Sequence, residues 1–106
     1  MKYRVQRATG AAAIAMTIAP GVAWQLEEIR VHLSAAGADE LLTGTVDAGA
    51  GAAYDVVLIS QNTNGITDYV FRPGRPLIFN ADDELDLACA NTDTRTYGIE
   101  VFYSAI

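Results

Sequence analysis

The chain has one cysteine, one histidine and three serines among 106 residues. A lone thiol, Cys89, excludes an intramolecular disulfide. A lone histidine, His32, excludes a three-histidine zinc centre and leaves any cysteine or serine nucleophile only one imidazole to activate it. None of Ser34, Ser60 and Ser104 stands in a Gly-x-Ser-x-Gly elbow. Basic residues are also scarce: seven Lys and Arg face 13 acids, for a formal charge of −6. That balance disfavours nucleic acid, which is bound by neutralising phosphates, and disfavours an anionic membrane surface. The apolar stretch Ala11–Ala19 is too short to span a bilayer. It follows the basic Met1–Arg7 and precedes the small residues Gly21-Val-Ala23, which imitates a signal peptide; the expectation is that it is mature structure. Ala48–Ala53, Ala-Gly-Ala-Gly-Ala-Ala, lacks the Gly-Lys-Ser/Thr ending of a phosphate-binding loop.

What the sequence has is alternation. Side chains in a strand point to opposite faces, so apolar residues at every second position mark a half-buried strand. The clearest case is Asn80–Tyr103: Leu85, Leu87 and Cys89 share one phase, and Tyr97, Ile99, Val101 and Tyr103 share another, with Asn91-Thr-Asp-Thr as turn chemistry between them. Tyr3 and Val5 alternate in a short first strand, with a turn expected at Thr9-Gly10. Ala12, Ile14, Met16 and Ile18 share a phase, and Pro20-Gly21 closes that strand. Over Ala23–Leu33 the phase slips: Trp24 and Leu26 fall on one parity, Ile29, Val31 and Leu33 on the other. A β-bulge at Glu27-Glu28 would restore the face. The rival is a helix, because Leu26, Ile29 and Leu33 also match helical spacing; strict alternation after Ile29 favours the strand. Glu40–Asp47 reads as a strand with Leu42 and Val46 on one face. Tyr54–Ser60 is apolar on both phases, as in a strand covered on both sides. Gln61–Gly65 reads as a polar loop. Asp68–Phe71 and Leu77–Phe79 are short strands parted by Arg72-Pro-Gly-Arg-Pro76, since proline cannot continue a central strand.

Eight or nine short strands with turn signals about every ten residues predict one all-β domain over residues 1–106, an antiparallel, jelly-roll-like sandwich. An immunoglobulin-like sandwich is the alternative. No metal or cofactor is expected. The acids Asp82, Asp83, Glu84 and Asp86 read as a solvated turn, with Asp86 on an outer face. Cys89 reads as a small buried hydrophobe. The doubly apolar strand nominates Tyr54, Val57 and Ile59 as interface residues, joined by Arg72 and Arg75 of the Pro-Gly turn, because arginine is enriched at interfaces. Trp24 and Tyr69, if exposed beside polar groups, would be the rings of a carbohydrate-binding jelly roll. A hydrolase would need His32 within reach of a serine and a carboxylate.

Asp68-Tyr-Val-Phe-Arg-Pro-Gly-Arg-Pro-Leu-Ile-Phe79, followed by Asn80-Ala-Asp-Asp-Glu-Leu-Asp-Leu87, then Asn91 and Thr96-Tyr97-Gly98, resembles a pattern in small β-sandwich proteins of tailed bacteriophages and prophages. Trp24–Ala36 and Gly51–Leu58 resemble that group as well. Where the group has Gly-Asp-Glu, this chain has Asp82-Asp83-Glu84, and aspartate tolerates turn conformations. The resemblance implies a non-enzymatic virion component, made in the bacterial host cytoplasm and placed on the particle surface as a capsid decoration or head-associated protein. Its implied partners are further copies of itself and the major capsid or another virion protein. It assigns no catalytic residue.

Overall fold

The computed structural model describes residues 2–106; Met1 lies outside the described residues. These residues form nine strands: β1 (Lys2–Gly10), β2 (Ile14–Ile18), β3 (Trp24–Leu33), β4 (Leu41–Asp47), β5 (Val56–Asn62), β6 (Asp68–Phe71), β7 (Leu77–Phe79), β8 (Glu84–Cys89) and β9 (Tyr97–Ala105). A 3-10 turn at Ala52–Tyr54 precedes β5. Among the described residues no helix is long and apolar enough to cross a membrane.

The strands make two antiparallel sheets. One has the order β1-β9-β3-β6, with β7 also paired to β3; the other has the order β2-β8-β4-β5. Among the described residues only β4 and β5 pair with their chain neighbour; every other connection crosses between sheets or, at β6–β7, returns to the same strand β3. This is the double Greek key of a jelly roll, with β6 and β7 sharing one strand position. The expected strands β8 and β9 are therefore no hairpin: they stand in opposite sheets and face each other across the core.

Alternation decides what enters that core. β2 buries Ile14, Met16 and Ile18, and β8 buries Leu85, Leu87 and Cys89, in strict every-second-residue patterns. Opposite them stand Trp24, Leu26, Ile29, Val31 and Leu33 of β3 and Ile99 and Val101 of β9. Each such side chain contributes roughly 1.5–3 kcal/mol by leaving water. β3 is a strand with a bulge: its register against β9 shifts between Leu26 and Glu28, which leaves Glu27 as the extra residue and returns Ile29 to the face of Leu26. The helix is thereby excluded.

Two expected turns are strand. Thr9 and Gly10 pair with Gly98 and Tyr97, because β9 runs its full nine residues beside β1. Gln61 and Asn62 extend β5 and pair with Leu42 and Leu41. In both places pairing across the sheet overrides local turn preference.

Candidate interface

A second bulge shapes the surface of interest. In the β4–β5 pair, Gly44 faces Ile59 but Thr45 faces Val57, so Leu58 is an inserted residue on β5. Two consequences follow for the expected interface residues. Ile59 is turned inward and is 2% exposed, so it belongs to the core and not to an interface. Val56 and Val57, neighbours in sequence, both lie open, at 51% and 59% exposure, and Tyr54 before them is at 66%. A two-phase apolar strand predicts cover on both faces; within this chain Ile59 is buried and Leu58 packs partly against the core, while Val56 and Val57 stay open.

β5 is the edge of its sheet, and β7 lies at the corresponding edge of the other sheet. Between them runs a groove of about 440 Å³ lined by Tyr54, Val56 and Leu58 on one side and Leu77 and Phe79 on the other, with Ala48, Ala50 and Asp83 at one end. Val70 of β6 and Ile78 of β7 are also exposed, at 51% and 63%, but Ile78 points to the opposite face from Leu77 and Phe79, and Val70 lines the groove over Gly98 on the outer face of the first sheet. The sandwich is thus open and apolar along one long side. Arg72 and Arg75 sit in the β6–β7 turn, and both are exposed. Arg72 is engaged within the chain by Glu28, which also pairs with Arg30. Those two guanidiniums, Arg72 first, hold the Glu28 carboxyl below its ordinary pKa. Arg75 lies beside the bulged strand in a shallow hollow with Gln25, Glu27 and Pro73.

Trp24 is not a ligand platform. It is fully buried, with Phe79 tilted against it at 4.6 Å between centroids and Tyr103 edge-on at 5.7 Å, and its indole N–H reaches the Asp83 carbonyl. Its parity with Leu26 on the inner face of β3 is the reason. Tyr69 is only partly exposed and packs against the core.

His32 lies on the outer face of the first sheet, opposite Val31 and Leu33, with Nδ1 2.6 Å from Asp68 Oδ1. Asp68 also accepts the Thr67 hydroxyl at 3.0 Å. The His32 hydrogen bond, then that of Thr67, lowers the Asp68 pKa from its ordinary value. No serine completes a triad among the described residues: Ser34 Oγ accepts the Thr96 N–H, and Ser104 Oγ donates to Glu27. The pair instead borders a groove of about 510 Å³ over Gly98, with the Arg7–Glu100 ion pair at 2.8 Å on its rim. These are cross-strand charge pairs of a solvated sheet face.

The acidic turn has an internal role. Asp83 accepts the N–H of Asn80 at 2.8 Å and of Gly49 at 3.0 Å, tying the β7–β8 turn to the β4–β5 connection. Asp47, Glu84 and Asp86 bring carboxylate oxygens within 4.8 Å of one another on the outer face of the second sheet, where Asp86 accepts the Thr17 hydroxyl at 2.7 Å. Cys89 is buried, and that burial, with the charge of Glu40 adding, raises its pKa, as suits a packing residue.

The apolar long side was only half legible in sequence. Val56 and Val57 were visible as a two-phase run, but Leu77 and Phe79 are distant in the chain and join them only through the jelly-roll crossing. In the comparisons with known proteins, no protein-family model matches this chain and no curated protein matches it.

Proposed function

We propose that this protein is a non-enzymatic assembly subunit that acts by associating with copies of itself and with a larger protein surface, in the manner of a capsid decoration or head-associated protein of a tailed phage. The observation that supports this reading best is the open apolar groove lined by Tyr54, Val56, Leu58, Leu77 and Phe79, with Val57 and Ile78 exposed on the outer faces of the same two edge strands. Small monomeric domains seldom leave so continuous a strip of aliphatic surface beside an unpaired strand edge. The virion placement rests on the resemblance of the Asp68–Leu87 segment and its flanks to small phage β-sandwich proteins. The net charge of −6 suits a partner whose docking surface is more basic.

The test is sedimentation of the purified protein over a concentration series, followed by co-pelleting with phage heads that lack it. Concentration-dependent association and saturable co-pelleting are expected, both weakened at least tenfold by Val56→Asp. A protein that stays monomeric and does not pellet with heads would refute the reading.

A further inference from the structure

A two-sheet sandwich with open edges has four edge strands, and in this chain three of them are defended. Along β1, Lys2, Arg4 and Arg7 place charge on the edge, and the Gln6 side chain donates to the Thr17 carbonyl of β2 at 2.9 Å. That bond bridges the two sheets and partly covers the β2 edge. The Asn91 side chain binds the Ala12 carbonyl at 2.9 Å, just before β2 begins. β6 and β7 are four and three residues long and are parted by a turn carrying Arg72, Pro73, Arg75 and Pro76. Short strands, charges and prolines are the devices that keep edges from pairing with other chains. β5 has none of them. It runs seven residues, Val-Val-Leu-Ile-Ser-Gln-Asn, with no charged residue and no proline. A bulge also blunts an edge; the one in β5, at Leu58, lies near its start and leaves Ile59–Asn62 as a regular edge.

We infer that β5 pairs antiparallel with β5 of a second copy, joining the two four-stranded sheets into one eight-stranded sheet across a twofold axis. This inference rests on the assembly reading above and names its partner. Three features point to a second copy. An antiparallel edge offers donors and acceptors in equal measure and is its own complement, as a twofold interface requires. β5 is neutral in a chain of net charge −6, so it is an edge along which two identical acidic molecules can meet without like charges face to face. The exposed Tyr54, Val56 and Val57 at the start of the strand then find cover against the partner's edge, which their own chain does not supply.

The register of the sheet makes the inference measurable. Ala15, Ala88, Thr43 and Ser60 form one straight row across β2, β8, β4 and β5, and Ala15 and Ser60, at its two ends, are exposed. Spin labels are attached at Ser60→Cys or at Ala15→Cys, and distances between copies are read by double electron–electron resonance. The native Cys89 is buried, and wild type treated in parallel provides the blank. With strands about 4.8 Å apart and the axis near the middle of β5, labels at Ser60 fall within about 20 Å. Labels at Ala15, seven strand spacings apart, fall near 34 Å by the same spacing. Val57→Lys in the Ser60→Cys background, with an unchanged circular dichroism spectrum, removes the short distance. If the protein sediments as an oligomer but Ala15 gives a distance as short as Ser60, or Ser60 gives none below about 34 Å, the β5 pairing is wrong and the assembly reading stands. If the protein sediments as a monomer at every concentration, both fall.

Discussion

Asn91 shows how much one side chain can organise. Its backbone has φ near 49°, in the left-handed region that asparagine tolerates better than most residues. Its buried amide donates to the carbonyls of Ala12 and Arg95 at 2.9 Å each, and its Oδ1 accepts the Arg95 N–H at 3.1 Å. It therefore closes the β8–β9 turn and fastens the β1–β2 connection to it. Asn91→Ala should cost about 2–3 kcal/mol in urea denaturation, the sum of about three lost hydrogen bonds. Asn91→Gly should recover part of this by relieving the positive φ; a loss under about 0.5 kcal/mol for the alanine variant would contradict the hub role. A second residue-scale expectation concerns Asp68. Its folded-state pKa is lowered, by His32 first and Thr67 second, so its contribution to stability is present above the ordinary carboxylate value of 3.8 and is lost as pH falls through the folded value. In an NMR titration the Asp68 carboxyl should ionise below the ordinary range, and His32→Ala should raise it more than Thr67→Val does. An unchanged Asp68 titration in the His32 variant would show the pair does not form in solution.

At the scale of the element, β3 carries the clearest test of how sequence becomes shape. Without Glu27, the segment Trp-Gln-Leu-Glu-Ile-Arg-Val-His-Leu alternates without interruption, and Leu26 and Glu28 already face consecutive residues of β9, Tyr103 and Phe102. Deleting Glu27 should therefore leave a folded protein, less stable by about 1–2 kcal/mol through the acceptor lost to the Ser104 hydroxyl and the Gln25 amide. Deleting Arg30 instead moves Val31 and Leu33, or else Trp24, Leu26 and Ile29, to the solvent face and should abolish cooperative unfolding. Equal damage from both deletions would refute the bulge. This bulge was readable because the apolar phase slipped at two glutamates. The bulge in β5 was not, because Tyr54–Ser60 is apolar on both phases and no slip can register; only pairing with β4 reveals that Leu58 is inserted and that Ile59 alone turns fully inward. Thr9-Gly10 and Gln61-Asn62 were hidden for a different reason. Their composition speaks for turns, while β9 and β4, remote in sequence, hold them extended.

For the whole molecule, periodicity was enough to anticipate an all-β sandwich, because a chain of many short amphipathic strands has few ways to bury them. Strand order was beyond its reach, and strand order is what puts β5 and β7 on one side and leaves that side apolar. Trp24 illustrates the same limit: its large ring invited a ligand-binding reading, yet the sandwich interior places Phe79 and Tyr103 around it. The molecule is a jelly roll with three defended edges and one open one. Sedimentation velocity from micromolar to millimolar protein, wild type beside Val57→Lys, tests this most directly. Wild type should associate with rising concentration, while the lysine variant, equally folded, stays monomeric. Identical sedimentation of the two proteins, both monomeric or both associated, would contradict it.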